Sequence, residues 1–199
     1  MITILDYGEG NIQSNIKAFE YLGQKIIVTS DPREIKRADV LVVPGQGAFK
    51  QVMQSLKKKS LIDPIIDHIK SGKKYLGLCL GFQILFESSE EHGETKGLGI
   101  YPGVIKKLSG KGVKIPHMGW NDCSVINHQM FAGISTDTTM YFVHSYALFQ
   151  TDENLIASKN THGETFISSI QQDHVWATQF HPEKSGSNGL QLLQNFLNS

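Results

Sequence analysis

The first half of the chain alternates short apolar runs with segments in which apolar residues recur every three or four positions. The short runs predict buried strands, and the spaced patterns predict amphipathic helices. Predicted strands lie at residues 2–5, 26–28, 40–43 and 75–78. Helical spacing occurs at 12–22, 49–56 and 62–69, and Asp31-Pro32 indicates a turn. This order predicts a doubly wound α/β fold, in which a mostly parallel sheet lies between helices and sites gather at the carboxyl ends of its strands.

The pattern changes after about residue 95, where polar turns separate shorter apolar runs. Predicted strands lie at 104–108, 139–143, 155–157, 165–170 and 175–180, and a closing amphipathic helix lies at 190–197. These strands predict a mixed or antiparallel portion that completes and flanks the sheet. The sequence contains no linker, internal repeat or low-complexity tract, so we expect residues 1–199 to form a single domain.

Composition narrows the classes of function. The chain has 19 Lys+Arg and 19 Asp+Glu among 199 residues, a balance that argues against binding to nucleic acid or to an anionic membrane surface. A strand pattern begins directly after Met1, without a signal peptide or a long apolar segment. The two cysteines, Cys79 and Cys123, have neither metal-site nor disulfide spacing. We therefore expect a cytoplasmic protein.

The clearest candidate for chemistry is Cys79, which follows the apolar run 75–78 and precedes a run of helical character at 80–87. Gly77 and Gly81 flank it, so the segment is the sulfur counterpart of the G-x-S-x-G nucleophile elbow. Glycines relieve crowding at such a sharp turn, which strains the nucleophile's backbone. The start of a helix favours a thiolate, and the N–H of Leu80 would face an oxyanion. The alternative is a small buried cysteine.

A base for this thiol is predicted at His181-Pro182-Glu183, just past the strand at 175–180. Residues at i and i+2 project to the same side, so Glu183 could orient the imidazole of His181. The alternative is half of a metal site, but no further ligands accompany it at a suitable spacing, and we expect no metal.

Two further segments belong with the elbow. The loop Gly45-Gln46-Gly47 follows the buried strand 40–43, and its N–H groups could face a ligand; the alternative is an ordinary tight turn. Gln83 lies one helical turn after Cys79, so its amide can face the same pocket; the alternative is a solvated position.

Together these motifs resemble the class I (triad) glutamine amidotransferases. More narrowly, the sequence is similar to the HisH family, the glutaminase subunits of imidazole glycerol phosphate synthase. The segments that carry this narrower resemblance are 6–11, 116–121, 141–146 and 181–185. Related anthranilate and GMP synthase amidotransferases share the elbow and the His-Pro-Glu motif but lack the segment 116–121.

The resemblance implies a flavodoxin-like fold and a Cys-His-Glu triad that hydrolyses glutamine without a cofactor. Cys79 would attack the side-chain amide, His181 would move the protons, and Glu183 would orient His181. The backbone N–H groups of Gln46 and Leu80 would form the oxyanion hole. The positions that match the glutamine pocket are Gly47, Gln83, Glu91, Ser145 and Tyr146.

The resemblance also implies a partner, a (β/α)8 cyclase subunit of the HisF type in a heterodimer. Ammonia would pass to this barrel, which makes imidazole glycerol phosphate and AICAR in histidine biosynthesis. The positions that match the interface are Asn11, Trp120, Tyr141 and Lys184.

Two residues depart from the family pattern. Gln46 stands where a small apolar residue, commonly valine, is usual, and Phe82 stands where methionine is more usual. Two other functions stay open: a paralogous amidotransferase that supplies an amidino-sugar synthase for surface polysaccharide, and a non-catalytic scaffold. The intact Cys79, His181 and Glu183 argue against the scaffold.

Overall fold

The computed structural model describes residues 1–8, 12–126 and 129–199. In this part of the chain thirteen strands form one sheet. The strands are β1 Ile2–Leu5, β2 Ile26–Thr29, β3 Val40–Val43, β4 Lys74–Leu78, β5 Ser88–Ser89, β6 Thr95–Lys96, β7 Val104–Lys107, β8 His117–Val125, β9 Asp137–His144, β10 Tyr146–Leu148, β11 Ile156–His162, β12 Glu164–Gln172 and β13 Val175–Thr178. The helices are α1 Gln13–Tyr21, α2 Pro32–Arg37, α3 Phe49–Lys58, α4 Ile62–Lys70, α5 Leu80–Gln83 and α6 Gly186–Asn198.

The predicted parallel core is present. Strands β2, β1, β3, β4 and β13 lie side by side in that order, and every neighbouring pair in this set is parallel. Strands β1 and β13 are buried along their whole length, as expected for a sheet covered on both faces. Because β3, β4 and β13 are adjacent and parallel, their carboxyl ends meet at one edge. The loop at 44–48, Cys79 and His181 all follow these ends.

Helices cover both faces of this core. On one face, α3, α4 and α5 bury residues such as Leu56, Ile65 and Phe82 in a single cluster. On the other face, α1 and α6 contribute Phe19 and Phe196 to a second cluster. Two helical layers around a parallel sheet are the doubly wound arrangement that the apolar pattern predicts. None of the helices in the described residues has the length and apolar content needed to cross a bilayer.

The second half of the chain is mixed and mostly antiparallel, as predicted: β13 and β7 each have one parallel neighbour, and the other pairs are antiparallel. Strand β12 joins β13 to this part, pairing antiparallel with both β10 and β11. A branch runs from β11 through β8 to β9, where β8 and β9 form a long antiparallel pair that places Trp120 opposite Tyr141 and His117 opposite His144.

Two local predictions are wrong. Asp31-Pro32 is the start of helix α2: the Asp31 side chain accepts a 2.8 Å hydrogen bond from the Arg33 N–H, and Pro32 occupies the first helical position. The predicted helical run 80–87 ends at Gln83. The carbonyl groups of Ile84, Leu85 and Phe86 accept hydrogen bonds from residues 98–101 instead of continuing a helix.

Candidate active site

Cys79 lies in the sharp turn between β4 and α5 with φ 52° and ψ −100°. This left-handed conformation is rare for a residue with a side chain and stores strain. Crowding explains the flanking glycines. A Cβ on Gly77 would lie 2.3 Å from the Gly81 carbonyl oxygen, and one on Gly81 would lie 1.8 Å from the Val43 carbonyl oxygen. The strained strand-to-helix turn predicted from the glycine spacing is therefore present.

His181 and Glu183 form a buried pair beside this turn. The His181 Nδ1 and Glu183 Oε1 atoms are 2.8 Å apart, and the two side chains are 2% and 1% exposed. A carboxylate accepts at this distance, so Nδ1 carries the proton that it donates. The backbone is fixed as well, since the His181 N–H donates to the Tyr141 carbonyl and the Ser185 hydroxyl donates to the His181 carbonyl. The imidazole is thus held with Nε2 available to the thiol.

Two opposed effects set the protonation of His181. Burial lowers its pKa, but the charge and hydrogen bond of Cys79, together with those of Glu183, raise the pKa to about 10. Apart from this interaction with the sulfur, Nε2 is buried without a hydrogen-bond partner of ordinary geometry among the described residues. A histidine held by a buried carboxylate beside a thiol is the arrangement that activates a cysteine nucleophile.

Cys79 and His181 open into a cavity of about 400 Å³. Larger surface cavities of about 580 and 530 Å³ exist elsewhere, but their linings lack both Cys79 and His181. A small recess leads from this cavity and is lined by Cys79, Leu80 and the five positions predicted for the glutamine pocket: Gly47, Gln83, Glu91, Ser145 and Tyr146. The structure thus brings together residues that are up to 99 positions apart between 47 and 146.

The loop after β3 packs directly against the elbow. A Cβ on Gly45 would lie 2.3 Å from the Leu80 Cβ, so only glycine permits this approach. Gln46 lines the cavity with Cys79, and Gly47 has φ +104°. Leu80 is the first residue of α5, where a backbone N–H has no acceptor within the helix. The N–H groups of Gln46 and Leu80 are therefore both at the edge of the sheet where an oxyanion would form.

Known proteins match this chain over nearly its whole length. The family model described as glutamine amidotransferase class-I matches residues 3–199. The chain is 43% identical to imidazole glycerol phosphate synthase subunit HisH of Syntrophotalea carbinolica, over 98% of each chain. It is 47% identical to the subunit of the same name in Aquifex aeolicus, over 97% of this chain and 94% of that one. The chain belongs to the HisH family of class-I glutamine amidotransferases.

Solved structures bear on the fold of this HisH-family chain. A crystal structure described as a glutamine amidotransferase has a TM-score of 0.77 at 17% identity and covers 98% of both chains. The structure of PurLQS from Thermotoga maritima has a TM-score of 0.74 at 19% identity, covering 99% of this chain and 97% of that one. These matches confirm the α/β class with its parallel and antiparallel portions.

Two of the four predicted interface positions of the HisH-family chain, Trp120 and Tyr141, are in contact with each other. Trp120 is 57% exposed, and its ring lies edge-on to Tyr141 with 6.1 Å between centroids. Met118, two residues before Trp120 on the same face of β8, is also exposed. Lys184 lines the cavity that contains Cys79. Asn11 lies outside the described residues.

Sequence reasoning missed Gln179. This residue is completely buried, and its Nε2 lies 3.6 Å from the Cys79 sulfur. Its Oε1 accepts a 2.9 Å hydrogen bond from Gln83. The available signal was an amide side chain near the end of the mostly apolar run 175–180, two residues before His181.

Two histidines outside the triad, which the sequence analysis did not single out, form a buried pair. His117 Nδ1 and His144 Nε2 are 3.0 Å apart, and His144 Nδ1 lies 2.9 Å from the Tyr146 carbonyl oxygen. Burial lowers the pKa of His117 to about 4 and that of His144 to about 3. The pair is neutral at physiological pH and supports the segment that forms one wall of the cavity.

In the described part of the chain, no group of three His, Cys, Asp or Glu side chains could hold a metal ion.

Proposed function

We propose that this chain is the glutaminase subunit of an imidazole glycerol phosphate synthase, and that Cys79, His181 and Glu183 hydrolyse glutamine to glutamate and ammonia. The observation that carries the proposal is the buried Cys79–His181–Glu183 arrangement at the base of one cavity. The full-length similarity to HisH subunits supports the placement in histidine biosynthesis. Residues 1–199 act as one glutamine amidotransferase domain, and the reaction needs no cofactor.

The first half of the reaction forms a thioester. The Cys79 thiolate attacks the side-chain carbonyl carbon of glutamine, a carbon–sulfur bond forms, and the carbonyl π electrons move to oxygen. The resulting oxyanion accepts hydrogen bonds from the N–H groups of Gln46 and Leu80. When the intermediate collapses, the carbon–nitrogen bond breaks and the imidazolium of His181 protonates the leaving ammonia. Glu183 holds the imidazole in place throughout.

The second half regenerates the enzyme. Neutral His181 takes a proton from water as the water oxygen attacks the thioester carbon. The second tetrahedral intermediate expels the Cys79 sulfur as thiolate, and glutamate leaves the site. The sum of both halves is glutamine plus water giving the γ-carboxylic acid plus ammonia, and the acid then passes its proton to ammonia to leave glutamate and ammonium. Atoms and charges therefore balance, with one proton given up and regained by His181 in each cycle.

The cavity that contains Cys79 and His181 holds the substrate together with the small recess that adjoins it. Glu91 supplies the negative charge that suits the α-ammonium group of glutamine, and Gly47, Gln83, Ser145 and Tyr146 line the remaining walls. Because glutamine must be distinguished from glutamate at its reacting end, the hydrogen-bonded amide of Gln83 near Cys79 favours a neutral carboxamide over a carboxylate.

The ammonia goes to a partner subunit, a (β/α)8 cyclase of the HisF type, with which the chain forms a heterodimer in the cytoplasm. The exposed Trp120, with the half-buried Tyr141 packed edge-on against it, supports an interface beside the cavity, because Trp and Tyr are favoured anchors of protein interfaces. Lys184 at the cavity and Asn11 belong to the same interface.

The test is the variant Cys79→Ser, compared with Cys123→Ser in the same complex. We expect Cys79→Ser to abolish product formation from glutamine but to leave product formation from free ammonia intact. Cys123 lies among Ser158, Asn160 and Ser168, away from the cavity, so Cys123→Ser should leave glutamine-dependent turnover close to that of the wild type.

Reconstitution with the histidine-pathway barrel of the same organism tests the partner. Glutamine-dependent synthesis of imidazole glycerol phosphate is the expected result. Activation by an amidino-sugar synthase barrel, with none by the histidine-pathway barrel, would assign the chain to the paralogous pathway. Equal loss of both activities in an intact Cys79→Ser complex would contradict the role of Cys79.

A further inference from the structure

We propose that Gln179 is an additional catalytic residue, whose side-chain amide donates a hydrogen bond to the Cys79 sulfur whenever that sulfur carries negative charge. This inference rests on the proposed glutaminase reaction. It concerns a residue two positions before His181 that has none of the triad roles.

The position of Gln179 is fixed on both its backbone and its side chain. Its N–H donates a 2.8 Å hydrogen bond to the Ser168 carbonyl, which extends the pairing of β12 just past the end of β13. Its side chain is fully buried, with Nε2 3.6 Å from the Cys79 sulfur, an ordinary distance for a hydrogen bond to sulfur. A primary amide has two donors, and a buried donor without a partner is costly.

The direction of the amide follows from a chain of contacts that begins at a backbone carbonyl. The Tyr146 carbonyl oxygen can only accept, so the Gln83 side-chain atom 3.0 Å from it must be Nε2. The same Nε2 uses its second hydrogen on Gln179, which therefore presents Oε1 to Gln83 at 2.9 Å. Gln179 consequently has its NH₂ group, and not its oxygen, facing the sulfur.

A donor at this place acts at two steps of the reaction. Before attack, it stabilises the thiolate relative to the thiol, together with the imidazolium of His181. During the second half, the sulfur leaves the tetrahedral intermediate as thiolate, and the same N–H stabilises the developing charge. Gln179 does not line the substrate recess, so its effect belongs to the chemical steps and not to glutamine binding.

The network also explains why the donor is a glutamine held by another glutamine. Gln83 bridges the Tyr146 carbonyl, in the wall of the substrate recess, and Gln179 behind the sulfur. Rotation of either amide would place two oxygens or two NH₂ groups face to face. The Gln179 amide is thereby held with its NH₂ group towards the Cys79 sulfur. Because the amide is neutral, it does not compete with Glu183 for the charge of His181.

The experiment compares Gln179→Met, Gln179→Glu and a matched control, Gln171→Met. Methionine keeps the volume and removes the donor; glutamate keeps the shape and the acceptor for Gln83 but offers no NH₂ group. Gln171 is a buried glutamine of β12 whose amide contacts Met130 and Gln129, away from Cys79. The first readout is the rate of iodoacetamide alkylation of the Cys79 peptide against pH, measured by mass spectrometry on the full chain.

We expect Gln179→Met to move the midpoint of the alkylation profile to higher pH by about one unit, since a hydrogen bond to a charged group is worth roughly that much. Gln179→Glu should move it in the same direction by at least as much, because its carboxyl group also repels a negatively charged sulfur. In the complex with the barrel subunit, kcat for glutamine hydrolysis should fall by about 10- to 100-fold while KM changes by less than about threefold. The glutamyl thioester should accumulate in the intact-mass spectrum. Gln171→Met should match the wild type in all three measurements.

An alkylation profile of folded Gln179→Met and Gln179→Glu that coincides with that of the wild type overturns the proposal. If neither variant folds, Gln83→Met decides, because it releases the Gln179 amide and should shift the profile in the same direction; an unshifted profile again overturns the proposal. Failure of the proposed function gives a different result, namely no glutamine hydrolysis by the wild type, while the alkylation comparison still measures the donor.

Discussion

The Glu91 carboxylate accepts a hydrogen bond from the backbone N–H of Phe49, with 2.7 Å between Oε2 and the nitrogen. Phe49 begins α3 directly after the loop at 44–48, so Glu91 satisfies a helix N–H that has no acceptor within the helix and faces the positive end of the dipole. At the other end of the loop, the Tyr7 hydroxyl donates to the Pro44 carbonyl at 2.9 Å. The loop around Gln46 is therefore fixed at both ends. A conformational change of this loop is confined to the residues between Pro44 and Phe49.

The first prediction concerns Glu91, which serves both this anchor and the substrate recess. Glu91→Gln keeps a side-chain acceptor for Phe49 but loses the charge that faces the ammonium group of glutamine. We expect KM for glutamine to rise by about tenfold or more, corresponding to roughly 1.4 kcal/mol, with little change in melting temperature. Glu91→Ala should in addition lose about 1 kcal/mol of stability, as for other removed helix caps.

Glu90→Gln is the matched control, because the exposed Glu90 pairs only loosely with Lys106, at 3.9 Å. Steady-state kinetics and thermal melts of the three variants measure both effects. A KM for Glu91→Gln equal to that of the Glu90 variant would remove Glu91 from the glutamine pocket.

The second prediction is a pH dependence of stability that arises from the buried pair His117 and His144. Their pKa values are about 4 and about 3 in the folded chain, against an ordinary value of 6.5. Burial is the main cause for both. His162 faces both members of the pair, and His181 also faces His144; these charges oppose protonation further, whereas the Tyr146 carbonyl favours it on His144.

The sign follows from proton counting. Between pH 6.5 and about 4 the unfolded chain binds more protons than the folded chain, so stability is fully present above pH 6.5 and is lost as the pH falls. Each histidine contributes at most about 1.4 kcal/mol per pH unit in this window. The contribution of His181 to the free energy of unfolding has the opposite sign. Because its pKa is about 10 in the folded chain, this contribution is lost as the pH rises above 6.5. The measurement is therefore made between pH 5 and 6.5, where the contribution of His181 changes little.

His117→Phe tests the pair, because a phenyl ring can occupy the stack between Phe142 and His162. The free energy of unfolding should be lower than in the wild type at pH 7, since the partner nitrogen of His144 loses its hydrogen bond. Its decline between pH 6.5 and 5 should nevertheless be shallower. His92→Asn, at an exposed position with φ 55°, removes a histidine without touching the pair and should keep the wild-type slope. Parallel slopes for all three proteins would contradict the assignment.

The sequence predicts well what local chemistry requires. Only glycine fits at positions 77 and 81, because the turn around Cys79 is crowded. The sequence shows this requirement as two glycines spaced symmetrically around the cysteine. Likewise the alternation of apolar strands and amphipathic helices follows from burial on both faces of a parallel sheet. These features place Cys79, His181 and the loop around Gln46 each directly after a predicted strand; the strand order that makes them neighbours comes from the structure.

Features that depend on distant segments could not be predicted in this way. Helix α5 ends at Gln83 because residues 98–101 take the next carbonyl groups, and nothing in the run 80–87 signals this. The pairing of His117 with His144 depends on the β8–β9 register. Helix α2 is a different case, since Asp31 and Pro32 are a recognisable N-cap and first residue, but a short charged helix has little apolar periodicity.

The third prediction concerns the exposed Trp120 and the half-buried Tyr141 that packs against it. If these rings anchor the barrel subunit, Trp120→Ala should weaken the complex by about 30-fold or more, corresponding to roughly 2 kcal/mol. Alkylation of Cys79 in the isolated chain should not change, because the indole lies outside the catalytic cavity. Tyr21→Ala is the control, as Tyr21 is an aromatic residue with 78% exposure at the end of α1. Titration calorimetry measures both affinities; equal affinities for the two variants would exclude Trp120 from the interface.

The last prediction concerns Gln46, one of the two residues that the sequence analysis found to depart from the pattern of the resembling family. For its N–H to face the oxyanion, the Gly45–Gln46 peptide must adopt one particular orientation between the anchors at Pro44 and Phe49. A missing oxyanion donor costs about 10²- to 10³-fold in rate, which is enough to keep the partner-free subunit nearly silent. We therefore expect the isolated chain to hydrolyse glutamine slowly and the loaded barrel to accelerate it strongly.

Gln46→Gly should raise the hydrolysis rate of the isolated chain, because glycine restricts the backbone least and makes reorientation of this peptide easier. Each ~1.4 kcal/mol of easier reorientation is worth about tenfold in rate. The acceleration by the barrel should shrink by the same factor, since both effects draw on one conformational equilibrium. Gln46→Val, which restores the β-branched residue common in the family, should change the isolated rate in the opposite direction. The measurement is basal and barrel-stimulated glutaminase activity of both variants beside the wild type. If the basal rate of Gln46→Gly is unchanged or lower while folding and complex formation are intact, this peptide does not limit the resting enzyme.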